Sequence, residues 1–264
     1  MNKRNFNNKR GHALVLAVLT LSLMTLSGCD FDFGESDSWA NLINEKSYPV
    51  QINGNTLTYG DHVYTLEGAY DYEADDFKTP TATLTFTNIP SGYTEFEAVY
   101  ENFLGKTPEG VAAMVPMVME IFARDAELGE ECLDLICNSS ATVAGIVRIL
   151  KTKYNYSEYS PEDDQYIQRF LPAALLKGAT YSNAYAPDEP FVVELCASPN
   201  GTQESPMYNS TVYYGYILTS GGWDSFQRAV TVSRVYDSEL YQLQECSSCY
   251  TQCRPIRGTW QGLK

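Results

Sequence analysis

The chain has 264 residues, 44% of them hydrophobic, with 18 Lys and Arg against 33 Asp and Glu and a formal charge of −15. An acidic surface of this kind repels phosphate backbones, so nucleic acid is excluded as a partner. The length supports one larger domain or a domain with an appendage.

At the start, Lys3, Arg4, Lys9 and Arg10 form a positive region, and Ala13 to Leu26 is apolar or small throughout. This stretch falls short of the ~20 residues that a membrane span needs. With the small residues that follow, it reads as a secretory signal over residues 1–28. Leu26-Ser27-Gly28-Cys29 resembles the lipobox of bacterial lipoproteins. The resemblance implies cleavage before Cys29, acylation of its sulfur and new amino terminus, and an exported protein held on a bacterial membrane, with the outer membrane or cell surface open to it. Several acyl chains satisfy the physics of stable anchoring, because one chain alone binds marginally. Removing residues 1–28 leaves 14 basic against 33 acidic side chains, a net charge of −19, so no basic patch is needed or expected for membrane contact. Residues 29–47 form an acidic tether, Asp30 to Asp37 at its front. It resembles the surface-export signal of Bacteroides-group lipoproteins, the retention signal of enteric bacteria, or a plain solvated spacer.

Residues 48–91 read as a small β region. Val50–Ile52 and Thr56–Tyr59 flank the turn signal Asn53-Gly54-Asn55, Val63–Leu66 follows Gly60-Asp61, and Thr81–Ile89 alternates until Pro90. The rest, 92–264, reads as an α+β domain. Thr107-Pro108-Glu109 starts a helix carrying Val111, Met114, Val115, Val118, Met119 and Phe122 on its core face, with a kink expected at Pro116. Ser140 caps a second helix, and Ser160-Pro161-Glu162-Asp163 starts a third that Pro172 stops. Strands follow at Phe191–Leu195, Thr211–Thr219, Gln227–Val235 and Leu240–Glu245. The expected fold is therefore α+β: β-hairpins, a helical block, then an antiparallel sheet. Helices leading into a curved sheet also resemble the cone of nuclear-transport-factor-like domains.

Six cysteines remain after Cys29: Cys132, Cys137, Cys196, Cys246, Cys249 and Cys253. In an exported chain these read first as disulfides, within the Cys246/Cys249/Cys253 group above all. Free thiols or a metal or iron–sulfur site are the alternatives, the last lacking a fourth ligand at suitable spacing. Cys132 and Cys137 can pair only if the helix ends between them. No metal and no cofactor is expected.

Gly105-Lys106-Thr107 imitates the tail of a phosphate-binding loop, but Tyr100 stands where the loop's first glycine belongs, so a helix start with Lys106 exposed is expected. His62 is the only imidazole beyond His12, and its place after Gly60-Asp61 reads as a surface turn. No catalytic residue is assigned, because a triad needs a held imidazole and no Gly-x-Ser-x-Gly elbow exists. The acidic clusters Asp71-Glu73-Asp75-Asp76, Glu130-Glu131-Asp134 and Glu162-Asp163-Asp164 read as solvated faces; the first lacks the glycine and glutamate of a calcium loop. Trp223 and Asp224, after two glycines, read either as a core-closing ring or as an exposed binding loop.

Leu104–Gly110, Tyr185-Ala186-Pro187, Ser220–Ser225 and Arg228–Thr231 together resemble an uncharacterised bacterial lipoprotein family, a domain of unknown function, over about residues 95–245. The resemblance implies no catalytic residue and no ligand. The expected function is a non-enzymatic binding or interaction module at the cell envelope, with a protein, glycan or small molecule as partner. The rival is a small-ligand carrier or enzyme with a tyrosine–carboxylate site between helices and sheet.

Overall fold

Turn-rich, alternating segments at both ends of the chain build one sheet. The computed structural model describes residues 47–154, 168–221, 225–251, 253, 254, 256 and 263. Eight antiparallel strands run in chain order across that sheet: β1 (Val50–Asn53), β2 (Thr56–Tyr59), β3 (His62–Gly68), β4 (Ala82–Phe86), β5 (Phe191–Ser205), β6 (Ser210–Leu218), β7 (Gln227–Val235) and β8 (Gln242–Glu245). The first hairpin pairs Asn53 with Thr56 and the second pairs Tyr59 with His62, as the Gly54 and Gly60 turns require. β4 then pairs with β5, Phe86 opposite Phe191, their rings 5.4 Å apart. The small β region is thus continuous with the C-terminal strands.

The helices lie between β4 and β5. They are α1 (Tyr93–Asn102), α2 (Pro108–Ala113), α3 (Val115–Arg124), α4 (Ala126–Ile136), α5 (Ser140–Lys153) and α6 (Leu171–Ala174). Thr107 caps α2, its hydroxyl accepting from the Gly110 amide at 3.1 Å. Pro116 ends α2 and begins α3 rather than bending one helix, since a proline ring cannot sit over the carbonyl four residues back in a continuous helix. Ser139, one residue before the expected cap, accepts from the Thr142 amide at 3.2 Å. Pro172 opens the short α6 instead of stopping a helix, because a first-turn proline sacrifices no hydrogen bond. The expected start at Ser160–Asp163 lies outside the described residues.

Nine of the ten residues of α3 are buried, so it is apolar all round and runs through the core, against α4 and α6. α2 packs on β5, β6 and β7. Beneath it the sheet contributes Leu84, Leu195, Ile217, Val230 and Leu243, all at most 1% exposed. No helix among the described residues is long and apolar enough to cross a membrane.

Candidate functional site

Because α2 begins on the sheet, its first-turn carboxylate is carried inward. Glu109 is 5% exposed. Burial raises its carboxyl above the usual range, and hydrogen bonds from the Thr107 side chain and the Tyr70 backbone offset only part of that.

The β3–β4 connection brings two tyrosines to the same place. Its acidic side chains shape it: Asp71 accepts from the Glu73 amide at 3.0 Å, and Asp76 from the Lys78 amide at 2.8 Å and the Thr79 hydroxyl at 2.9 Å. The Phe77 carbonyl accepts from Cys196 on β5 and the Gln227 side chain on β7, strapping the loop across the sheet. Tyr70 crosses β6 at Gly215, where an added Cβ would stand 2.3 Å from the phenol oxygen; only glycine leaves room. The Tyr70 and Tyr72 rings meet edge to face, 5.9 Å apart.

Tyr213 on β6 and Tyr241 before β8 complete the cluster, their rings 5.2 Å apart and their side chains hydrogen-bonded. The Arg234 guanidinium lies 5.0 Å from the Tyr241 ring centre. Tyr241 is fixed by its backbone: its amide donates to the Gly105 carbonyl and its carbonyl accepts from the Tyr100 hydroxyl, both at 2.8 Å. Burial, and secondarily the negative charge of Glu109, push the Tyr72 hydroxyl well above its ordinary pKa. Tyr70 is pushed up first by burial, then by Tyr72 and Glu109. Both phenols therefore stay protonated and can donate. Among the described residues, the Tyr70 and Tyr72 hydroxyls and Arg234 Nε are buried without a hydrogen-bond partner. An unsatisfied buried polar group costs about 1–3 kcal/mol, so three in one cluster call for a polar occupant.

The Gly105-Lys106-Thr107 run is a helix start, as expected. Lys106 is exposed and 3.3 Å from Glu239. The acidic residues Asp71 and Asp76 are turn caps, and Glu130 pairs with Lys151 at 3.4 Å on the surface. Cys29, Trp223 and Asp224 lie outside the described residues.

Cysteine pairing is corrected. Cys132, Cys137, Cys196, Cys246, Cys249 and Cys253 are six buried free thiols. α4 ends at Ile136 with Cys137 as its extended C-cap, so the helix does end between Cys132 and Cys137, yet both thiols are free. Cys196 and Cys253 use their thiols on the Phe77 carbonyl and, at 3.4 Å, the Tyr185 hydroxyl. Cys246 caps the 3-10 turn Ser247–Tyr250 and Cys249 lies within it. Among the described residues, no group of three or more His, Cys, Asp or Glu is placed to hold a metal.

His62 is the residue that sequence reasoning missed. It opens β3 with its side chain 17% exposed, Nδ1 2.6 Å from the Glu95 carboxylate, which is 1% exposed. Tyr64 donates to the same oxygen at 2.6 Å, and the Ser91 amide and hydroxyl to the other, both at 2.8 Å. The available signal was the two-residue spacing of His62 and Tyr64, which puts them on one strand face. It named no partner, because Glu95 belongs to a helix start that carried no strong cap. The arrangement holds an imidazole on a carboxylate, with its other nitrogen 4.0 Å from the exposed Asp61 carboxylate.

Residues 88–257 match the family described as Domain of unknown function (DUF6935). No curated protein and no solved structure matches the chain.

Proposed function

The chain belongs to that family, and we propose that it is a lipid-anchored binding protein of the bacterial cell envelope, which holds a small polar molecule between α2 and the sheet. The observation that carries the binding reading is the pair of buried, unpartnered phenols of Tyr70 and Tyr72 beside a carboxyl raised by burial. Polar groups converging between elements are the usual make-up of a small-molecule site. The address rests on Lys3 to Cys29, which supports export, acylation at Cys29 and residence at the outer membrane or surface. In this reading the cluster binds and does not catalyse.

A second reading, a protein-interaction module, is favoured by the β5–β6 tip, where Met207 is 85% and Tyr208 73% exposed. One purification tests both. Protein taken from its native membrane is precipitated with organic solvent, and the supernatant is analysed by mass spectrometry. A small polar compound near one equivalent is expected, absent from Glu109→Gln/Arg234→Ala protein. An empty supernatant together with a co-purifying protein lost in Met207→Ser/Tyr208→Ser would replace the first reading by the second. For the anchor, Cys29→Ala is expected to abolish fatty-acid labelling; retained labelling overturns it.

A further inference from the structure

The charges and ring faces of the tyrosine cluster narrow what it takes. Glu109 and Arg234 bring opposite charges to one cluster around Tyr241. A small anion gains from Arg234 and loses against Glu109; a small cation meets the reverse. The overall charge of −19 after residue 28 further disfavours anions at the surface. A neutral ligand with several hydroxyls escapes both penalties, because each hydroxyl donates and accepts. The orphan atoms are donors, Tyr70 Oη, Tyr72 Oη and Arg234 Nε, and the Glu109 carboxyl can accept from the same ligand. Tyr72, Tyr213 and Tyr241 are each only partly buried, so they retain ring surface for apolar C–H groups.

We infer that the cluster formed by Tyr70, Tyr72, Glu109, Tyr213, Arg234 and Tyr241 binds a neutral sugar, its hydroxyls on the phenols, Arg234 and Glu109 and its C–H face on the tyrosine rings. The inference rests on the small-ligand reading given under Proposed function and adds the ligand class.

The test is titration calorimetry of the full chain in detergent with glucose, galactose, mannose, N-acetylglucosamine and maltose, against glucuronate and glucosamine as charged rings of the same shape. At least one neutral sugar is expected to saturate below about 10 mM and to bind at least tenfold tighter than either charged ring. Tyr72→Phe should weaken it about tenfold, the loss of one good hydrogen bond. The ligand-free variant should be no less stable than the parent, since that hydroxyl bonds no protein atom. Glucuronate or glucosamine binding as tightly as the neutral sugars, with the same loss in Tyr72→Phe, would overturn the sugar class and leave the small-ligand reading standing. No saturation by any neutral sugar also overturns the class. If in addition the native extract is empty, the cluster holds water alone and both readings fail.

Discussion

Nδ1 of His62 lies 2.6 Å from Oε1 of Glu95, and the carboxylate it faces is sealed from solvent. All four groups on Glu95 can donate: His62, the Tyr64 hydroxyl, and the Ser91 amide and hydroxyl. This bundle fastens the second hairpin to the first turn of α1. Glu95→Ala strands the buried Tyr64 hydroxyl and the Ser91 amide, and should cost about 2–4 kcal/mol. Urea denaturation with an unchanged slope checks this; a loss under about 1 kcal/mol would show the bundle to be incidental.

The same relationship sets the state of the ring. A carboxylate that only accepts requires the proton on Nδ1, leaving Nε2 as the lone-pair nitrogen, 4.0 Å from the exposed Asp61 carboxylate. Nitrogen-15 chemical shifts of the imidazole at alkaline pH should report the Nδ1–H tautomer in the parent. In Glu95→Gln they should drift toward the solution mixture. His62→Ala should cost about 1–2 kcal/mol, more than a surface turn residue would.

Glu109 gives stability a pH dependence of known sign. Its folded carboxyl titrates above the ordinary 4.5, so between the two values the folded chain holds more protons than the unfolded one. Stability from this group is therefore present below that window and falls as pH rises through it. Glu109→Gln should gain on the parent as pH climbs through the window, and the gain should level off above it. Glu120, also raised by burial, is present in both proteins and cancels in the difference. A difference independent of pH would contradict the buried placement of Glu109.

Thiol chemistry should report the closed core. Burial pushes Cys137 and Cys249 up to about 12, and Cys196 and Cys253 up to about 11. Little thiolate exists at neutral pH, so alkylation of these cysteines in the folded protein should be slow and become complete on denaturation. Mass spectrometry without reductant should find all six unpaired. A pair linked between Cys246, Cys249 and Cys253 would restore the expectation from exported-protein chemistry.

Gly215→Ala is the sharpest steric test. Its methyl would meet the Tyr70 ring and hydroxyl at 2.3 Å, with β5 and β7 hydrogen-bonded on either side. Overpacking of this kind costs about 1–3 kcal/mol. It should also weaken any ligand of the cluster, because Tyr70 must leave its seat.

Local signals located most elements. The Gly54 and Gly60 turns, the Thr107 cap and the β7 boundaries, Gln227–Val235, follow from turn and capping chemistry. The length of β5 did not: its second half, through Gly201, has no apolar alternation and is held by the β6 register. α1 was missed because its cap is Gly92, whose lack of a side chain leaves no signature. At the site, Glu109 was legible only as a helix-start residue, and Arg234 not at all. Tyr70 and Tyr72 stood inside an acidic run whose charges drew the attention. What unites these residues is the β4–β5 pairing across the helical block, a relation that no short window of sequence contains.

That pairing also governs the order of assembly. Every other neighbouring pair of strands joins through a local connection, so both halves of the meander can form without the rest. The pairing of Phe86 with Phe191 spans the whole helical block, and its closure carries most of the entropy cost of a long loop. Until that closure the edges of β4 and β5 are unpaired. Before the seam closes, those edges are where one copy can pair wrongly with another. Mispairing before the seam closes is therefore decided at Ala82–Phe86 and Phe191–Leu195.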